Sequence, residues 1–156
     1  MTVAEILGIN PADVNLICAD TDTTPIDLGA YSSRVTFMMG NAAIEAAEKL
    51  RKKLFEAVAE ELHINERALS EGTESLQSTA GQIVHMVNGV PTGKTFSFLK
   101  AVRLAESKFG QLSSTGSYTP QALGGPYKGS GVGPTPAYSY SAAVATVSVD
   151  LSLIHI

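Results

Sequence analysis

Three things are scarce in this chain of 156 residues, and each scarcity rules something out. There is one cysteine, Cys18. No internal disulfide framework can form, no cysteine set can ligate an iron–sulfur cluster, and a reducing, cytoplasmic setting is expected. Charge is sparse: charged residues make up 17% of the chain and the formal net charge is −4. The one basic run, Arg51-Lys52-Lys53, lies among glutamates, which argues against a nucleic-acid partner. Long apolar runs are missing too. Nothing approaches the roughly 20 residues of a membrane-spanning helix, so no membrane partner is expected. The first residues lack the basic-then-apolar order of a signal peptide. His63, His85 and His155 stand apart without metal-ligand spacing, so no metal held by side chains is expected.

What remains is enough for one domain with a core, since 44% of the residues are hydrophobic. Residues 2–8 read as a helix ended by Gly8, and Asn10-Pro11-Ala12-Asp13 as a turn. Residues 14–18, Val-Asn-Leu-Ile-Cys, read as a buried strand with Cys18 as a small apolar residue at its end. A polar loop over residues 19–33 follows, and a long helix over 34–63. In that helix Met39, Ala43, Ala46, Ala47, Leu50, Leu54, Ala57, Val58 and Leu62 recur at three- and four-residue steps. Glu45 with Lys49 and Glu48 with Lys52 have the spacing of ion pairs on its wet face. Gly40 costs ~1 kcal/mol against alanine in a helix, which predicts a close packing partner there. Residues 81–87 read as a strand closed by Asn88-Gly89, and 95–107 as a second amphipathic helix. Residues 111–118 are a Ser/Thr-rich strand candidate, 120–136 a Gly/Pro loop, and 137–150 an alternating strand with one solvated face. There is no internal repeat. The expected fold class is α+β, with mixed strands packed against one long and one shorter amphipathic helix. Both ends read as interrupted. Residues 2–9 look like the last turns of a helix, and residues 151–156 resemble read-through into adaptor sequence, a non-native tail.

The chemistry concentrates at the start of the long helix. Gly29, Ala30, Tyr31, Ser32, Ser33, Arg34 and Thr36 stand there in order. A helix begins with backbone N–H groups that have no intrahelical partner, and its dipole favours an anion at that end. Ser32 or Ser33 is the natural N-cap, yet the residues three further on are Val35 and Thr36, so no reciprocal capping box forms. Donors are thereby left for a ligand. Gly29 permits close backbone approach, and Arg34 can add a charge-assisted contact to phosphate. An ordinary serine-capped helix explains the same residues without a ligand.

The run Ala19-Asp-Thr-Asp-Thr-Thr-Pro-Ile-Asp-Leu-Gly-Ala-Tyr-Ser-Ser-Arg-Val-Thr-Phe-Met-Met-Gly-Asn-Ala-Ala43 resembles the large, molybdenum-binding subunit of the xanthine dehydrogenase/aldehyde oxidase family. Its Tyr-Ser-Ser-Arg version with Gly-Asn-Ala-Ala is most similar to bacterial members, including the large subunit of 4-hydroxybenzoyl-CoA reductase. Gly131-Val-Gly-Pro-Thr-Pro-Ala-Tyr-Ser-Tyr-Ser-Ala-Ala-Val-Ala-Thr-Val-Ser-Val-Asp150 fits the same family in the same order. The resemblance covers nearly all of residues 1–150 and is weakest over 64–110. It implies that residues 1–150 are part of a larger molybdopterin-binding domain. It also implies that Gly29, Ala30, Tyr31, Ser32, Ser33, Arg34 and Thr36 grip the pyranopterin phosphate of a molybdenum cofactor, in its cytosine dinucleotide form.

Members of this family insert oxygen from water into an electron-poor C–H bond of an aromatic heterocycle or aldehyde. A reductase branch removes a ring hydroxyl from an aromatic acyl-CoA. Iron–sulfur clusters and FAD are then expected on partner subunits, an iron–sulfur subunit and a FAD subunit. No catalytic residue is expected within this chain, because the family's metal-side glutamate and glutamine loop lie outside it, and these residues alone are expected to be inactive.

Weaker signals remain. Asn88-Gly-Val-Pro-Thr-Gly93-Lys94-Thr95 nearly matches a phosphate loop, with asparagine in place of its first glycine. A turn before a Thr-capped helix is the favoured reading of the segment. Together with the Ser32, Ser33 helix start it supports an alternative, a small nucleotide- or phosphate-binding module without redox chemistry. Asp20, Asp22 and Asp27 read as turn-capping groups rather than a cation site.

Overall fold

The computed structural model describes residues 1–25, 29–30, 35–120 and 141–152. Its sheet is made by two tight turns. Asn88 and Gly89 both take positive φ, 50° and 76°, as do Ala80 and Gly81, at 48° and 73°. Two consecutive left-handed residues make the turn whose twist matches antiparallel strands. Among the described residues three strands result, β1 (Glu74–Thr79), β2 (Gln82–Val87) and β3 (Val90–Ser97), in the order β1-β2-β3. Leu76 faces His85 and Ile83 faces Phe96 across the two ladders, with an irregularity in the second between Val84 and Met86.

Among the described residues four α-helices accompany the sheet: α1 (Thr2–Leu7), α2 (Gly40–Glu61), α3 (Glu66–Ser70) and α4 (Phe98–Phe109). α4 starts where β3 stops, because the Ser97 hydroxyl accepts the Lys100 amide at 3.3 Å. The core lies where α2 and α4 meet β2 and β3. Leu54, Val58, Ile83, Phe96, Ala101 and Ala105 are all buried there. Lys108 ties the two helices at their rim, 3.0 Å from Glu56 and 2.7 Å from Glu60. α1 closes one edge. Gly8 ends it in the left-handed conformation and gives its carbonyl to the Gly81 amide at 2.6 Å. The Ser78 hydroxyl donates to the Leu7 carbonyl beside it.

The α+β class, the long helix, the Gly8 stop and the Asn88-Gly89 turn stand as expected. Other expectations are corrected. Residues 14–18 form no strand: Leu16 and Ile17 are exposed, and so is Cys18. Apolar composition supplies a strand's side chains but not its ladder, and no neighbouring strand lies beside this segment among the described residues. The same holds for residues 141–150, where Val144 is 95% exposed. Residues 111–118 are extended but pair with a helix instead of a sheet. The second helix begins three residues later than expected, because residues 95–97 finish β3. Gly40 has no atom within 4 Å of where a Cβ would stand, so it marks no close packing. Glu45 does pair with Lys49, at 2.8 Å, whereas Glu48 meets Arg51 instead of Lys52, at 4.0 Å. The Gly/Pro loop at 121–136 and His155 lie outside the described residues.

Leu54 is 1% exposed at the centre of this contact. Leu54→Ala is expected to lower unfolding stability by about 2–5 kcal/mol, read from the denaturant midpoint, because the void cannot fully collapse between two helices and a sheet.

Candidate cofactor-binding site

The approach to the long helix is built from short polar turns. The Asp20 carboxylate accepts the Asp22 amide at 2.9 Å, and its backbone carbonyl accepts the Thr24 amide at 2.8 Å and hydroxyl at 2.5 Å. Asp20 therefore shapes the loop, as a turn-capping residue would. Gly29 follows with φ 91°, a conformation open to glycine, and Gly29 and Ala30 are both exposed. Tyr31, Ser32, Ser33, Arg34 and Asp27 lie outside the described residues.

The helix enters the described residues as one wide turn of π-helix, Val35–Met39, before α2 proper. Such turns carry one extra residue and recur at functional sites. Thr36 is exposed on it. The Asn41 side-chain amide donates to the Phe37 carbonyl at 2.5 Å and so braces the junction. Neither the π turn nor the first turn of α2 carries an acidic residue, and Met39 at the α2 N-cap offers no side-chain cap. Asp and Glu are the usual occupants of a helix start, where they satisfy its partial positive charge. Here that charge is not met by a carboxylate of the same turn. The glycine approach, the exposed Thr36 hydroxyl and the acid-free helix start form a donor set that suits a phosphate.

The first carboxylate of α2 is Glu45, and it is engaged elsewhere. It pairs with Lys49 and accepts the Ser117 amide at 2.6 Å. Ser117 belongs to the extended segment 111–118, which lies along α2 as a strap. The Ser114 hydroxyl donates to the Ala46 carbonyl at 2.8 Å. The Lys49 and Lys53 amines donate to the Thr115 and Ser113 carbonyls at 3.1 and 3.2 Å. At Gly116 a Cβ would overlap the Ala42 carbonyl. The strap ends with Tyr118 edge-on to Phe37, centroids 5.4 Å apart and rings at 87°.

Sequence reasoning missed one polar cluster. His85 is buried in β2 with Nε2 2.7 Å from a Glu74 carboxylate oxygen and Nδ1 3.1 Å from the Thr92 hydroxyl. One residue from each strand meets there, and the turn-defined register could have found them. Lys94 and Thr95 lie within β3, and the next helix is capped by Ser97. A phosphate loop needs its lysine at a helix N-terminus, so that motif is not one. Among the described residues no group of three metal-ligating side chains gathers. None of their helices is long and apolar enough to cross a membrane.

Comparison with known proteins gives this site its class. The molybdopterin cofactor-binding domain family matches residues 1–156. The probable hypoxanthine oxidase XdhD of Escherichia coli is 35% identical over 151 residues, 94% of this chain and 13% of that protein. The putative xanthine dehydrogenase molybdenum-binding subunit XdhA of the same organism is 40% identical over 62 residues, 39% of this chain and 8% of that one. The 6-hydroxypseudooxynicotine dehydrogenase complex subunit gamma of Paenarthrobacter nicotinovorans is 32% identical over 88 residues, 52% of this chain and 10% of its own. The chain is thus part of a molybdenum-cofactor-binding domain of xanthine dehydrogenase-type oxidoreductases. The chain belongs to the molybdopterin cofactor-binding domain family, and it spans 13% of the length of XdhD.

The strap carries a pH dependence of known sign. The Lys49 ammonium and then the Ser117 amide hold the Glu45 carboxyl below its ordinary value of 4.5. A depressed carboxylate contributes its stabilisation above the unfolded value and loses it as pH falls through the folded one. Exchange protection of the Ser117 amide is therefore expected to persist at neutral pH and to fall on acidification below 4.5. Glu45→Gln should remove that acid step.

Proposed function

We propose that the helix start formed by Gly29, Ala30, Tyr31, Ser32, Ser33, Arg34 and Thr36 holds the pyranopterin phosphate of the molybdenum cofactor within a larger oxidoreductase subunit. The acid-free helix start that follows a left-handed glycine carries this reading. Backbone N–H groups and the Ser32, Ser33 and Thr36 hydroxyls supply neutral donors. Arg34 supplies the charge-assisted contact, and Gly29 lets the chain pass close to the phosphate. These groups bind and orient. The bound cofactor supplies the two-electron redox chemistry, and no residue of this chain has to move a proton for it.

The relatives' names support a substrate of the aromatic heterocycle class, since one is a probable hypoxanthine oxidase. An aldehyde, or an aromatic acyl-CoA dehydroxylated in the reverse sense, belongs to the same proposal. The cofactor is proposed in its cytosine dinucleotide form. Iron–sulfur and FAD subunits are proposed as partners, which accords with a relative that is one subunit of a dehydrogenase complex. Cytoplasmic assembly is proposed with them.

The test is cofactor retention by the intact subunit. Arg34→Ala removes a charge-assisted contact and is expected to weaken cofactor binding about tenfold or more, with Ser33→Ala a smaller loss in the same direction. Pterin and molybdenum content per subunit after gel filtration reads both. Lys94→Ala is expected to change neither. Full cofactor content in both helix-start variants would remove the assignment.

A further inference from the structure

The hydrophobic core does not reach the helix start. Every buried residue of α2 lies at or beyond Ala47, and the π turn has none. Among the described residues the first two turns are tied down by the strap, which arrives from the far end of α4 and is separated from its hydrogen-bond partners by 60–72 residues of sequence. Its links work back from Lys53 towards the start of α2, with side-chain and backbone partners interleaved. Lys53 holds Ser113, Ala46 holds Ser114, Lys49 holds Thr115, Gly116 seats on the Ala42 carbonyl, and Glu45 holds Ser117. The last link is Tyr118 against Phe37, the one aromatic ring pair among the described residues. It lies within the π turn, one residue from Thr36.

We propose that the strap, and Tyr118 above all, is the positioning device of the phosphate-binding helix start. The inference rests on the function proposed above for that start. Tyr118 touches no ligand in this reading. Its ring fixes Phe37, Phe37 fixes the wide turn, and the wide turn sets where Thr36 points. The contact uses the edge and face of two rings and not the phenol oxygen, so phenylalanine at 118 should serve as well. Gly116 sets the depth of the strap, because any side chain there must lift it off the Ala42 carbonyl.

Two measurements on the intact molybdenum subunit test this, using Tyr118→Ala, Tyr118→Phe and Gly116→Ala. The first is hydrogen exchange at the Val35–Met39 amides. The second is the release rate of bound molybdopterin, with the fluorescence of the iodine-oxidised pterin as the readout. Tyr118→Ala is expected to speed both about three- to tenfold, the range set by the loss of one edge-to-face pair. Gly116→Ala should act in the same direction, and Tyr118→Phe should match the parent. Unchanged exchange in Tyr118→Ala overturns the positioning role. Faster exchange with unchanged release overturns it as well, and Ser33→Ala and Arg34→Ala then show which reading failed. If those two variants release cofactor faster, the site stands and the strap is merely structural. If they do not, the helix start is not the phosphate site, and the inference falls with it.

Discussion

The described structure depends on α2 being bulky on one side and small on another. Leu54 and Val58 press on Ile83 and Phe96 and close the core against α4. A few residues nearer its start, Ala42 and Ala46 leave room for the backbone of the strap. Reversing the two faces would destroy both contacts. A large residue at 42 or 46 would push the strap away, and a small one at 54 would open a void. Amphipathicity alone does not describe this helix, whose small face is as specific as its greasy one.

The polar links follow a shared spacing. Lys49 and Lys53 are four residues apart on a helix that rises ~1.5 Å per residue, about 6 Å in all. Thr115 and Ser113 are two residues apart on an extended chain that advances ~3.3 Å per residue, nearly the same span. Two ammonium groups therefore meet two carbonyls in register, with the strap running antiparallel to α2. Each exposed contact is worth little alone. Their matched repeat selects one alignment, since a slip by one residue would turn both carbonyls away.

Local chemistry was legible in the sequence wherever it was sufficient. Asn88-Gly89 makes its turn because both residues accept left-handed geometry, and Gly8 stops α1 for the same reason. The long helix was legible because its apolar repeat continues for many turns. β1 and β3 were not, since Glu74–Thr79 is polar and Val90–Ser97 contains Pro91 and Gly93. They are strands because β2 lies between them. Segments 14–18 and 111–118 erred the other way. Both carry a strand's pattern, and that pattern names a conformation without naming a partner. The strap is Ser/Thr-rich as a strand candidate would be, yet what it lies against is a helix. Of the candidate site, the glycine, the helix start and its lack of acids were readable. The π turn and the Tyr118 contact were not, because one is a single extra residue and the other spans 81 positions of sequence.

The wide turn over Val35–Met39 has a consequence for how this chain tolerates change in length. A π turn differs from an α turn by one inserted residue. Removing a single residue from it would let α2 begin as an ordinary helix, with Ala47, Leu54 and Val58 untouched. The upstream side would keep its direction around the helix axis, because the wide turn already holds the extra residue within a single turn. The same deletion in a regular turn of α2 would instead swing everything before it by about 100°, the angle of one residue in 3.6. The wide turn is therefore the place on this helix where the chain can change length without redirecting what precedes it.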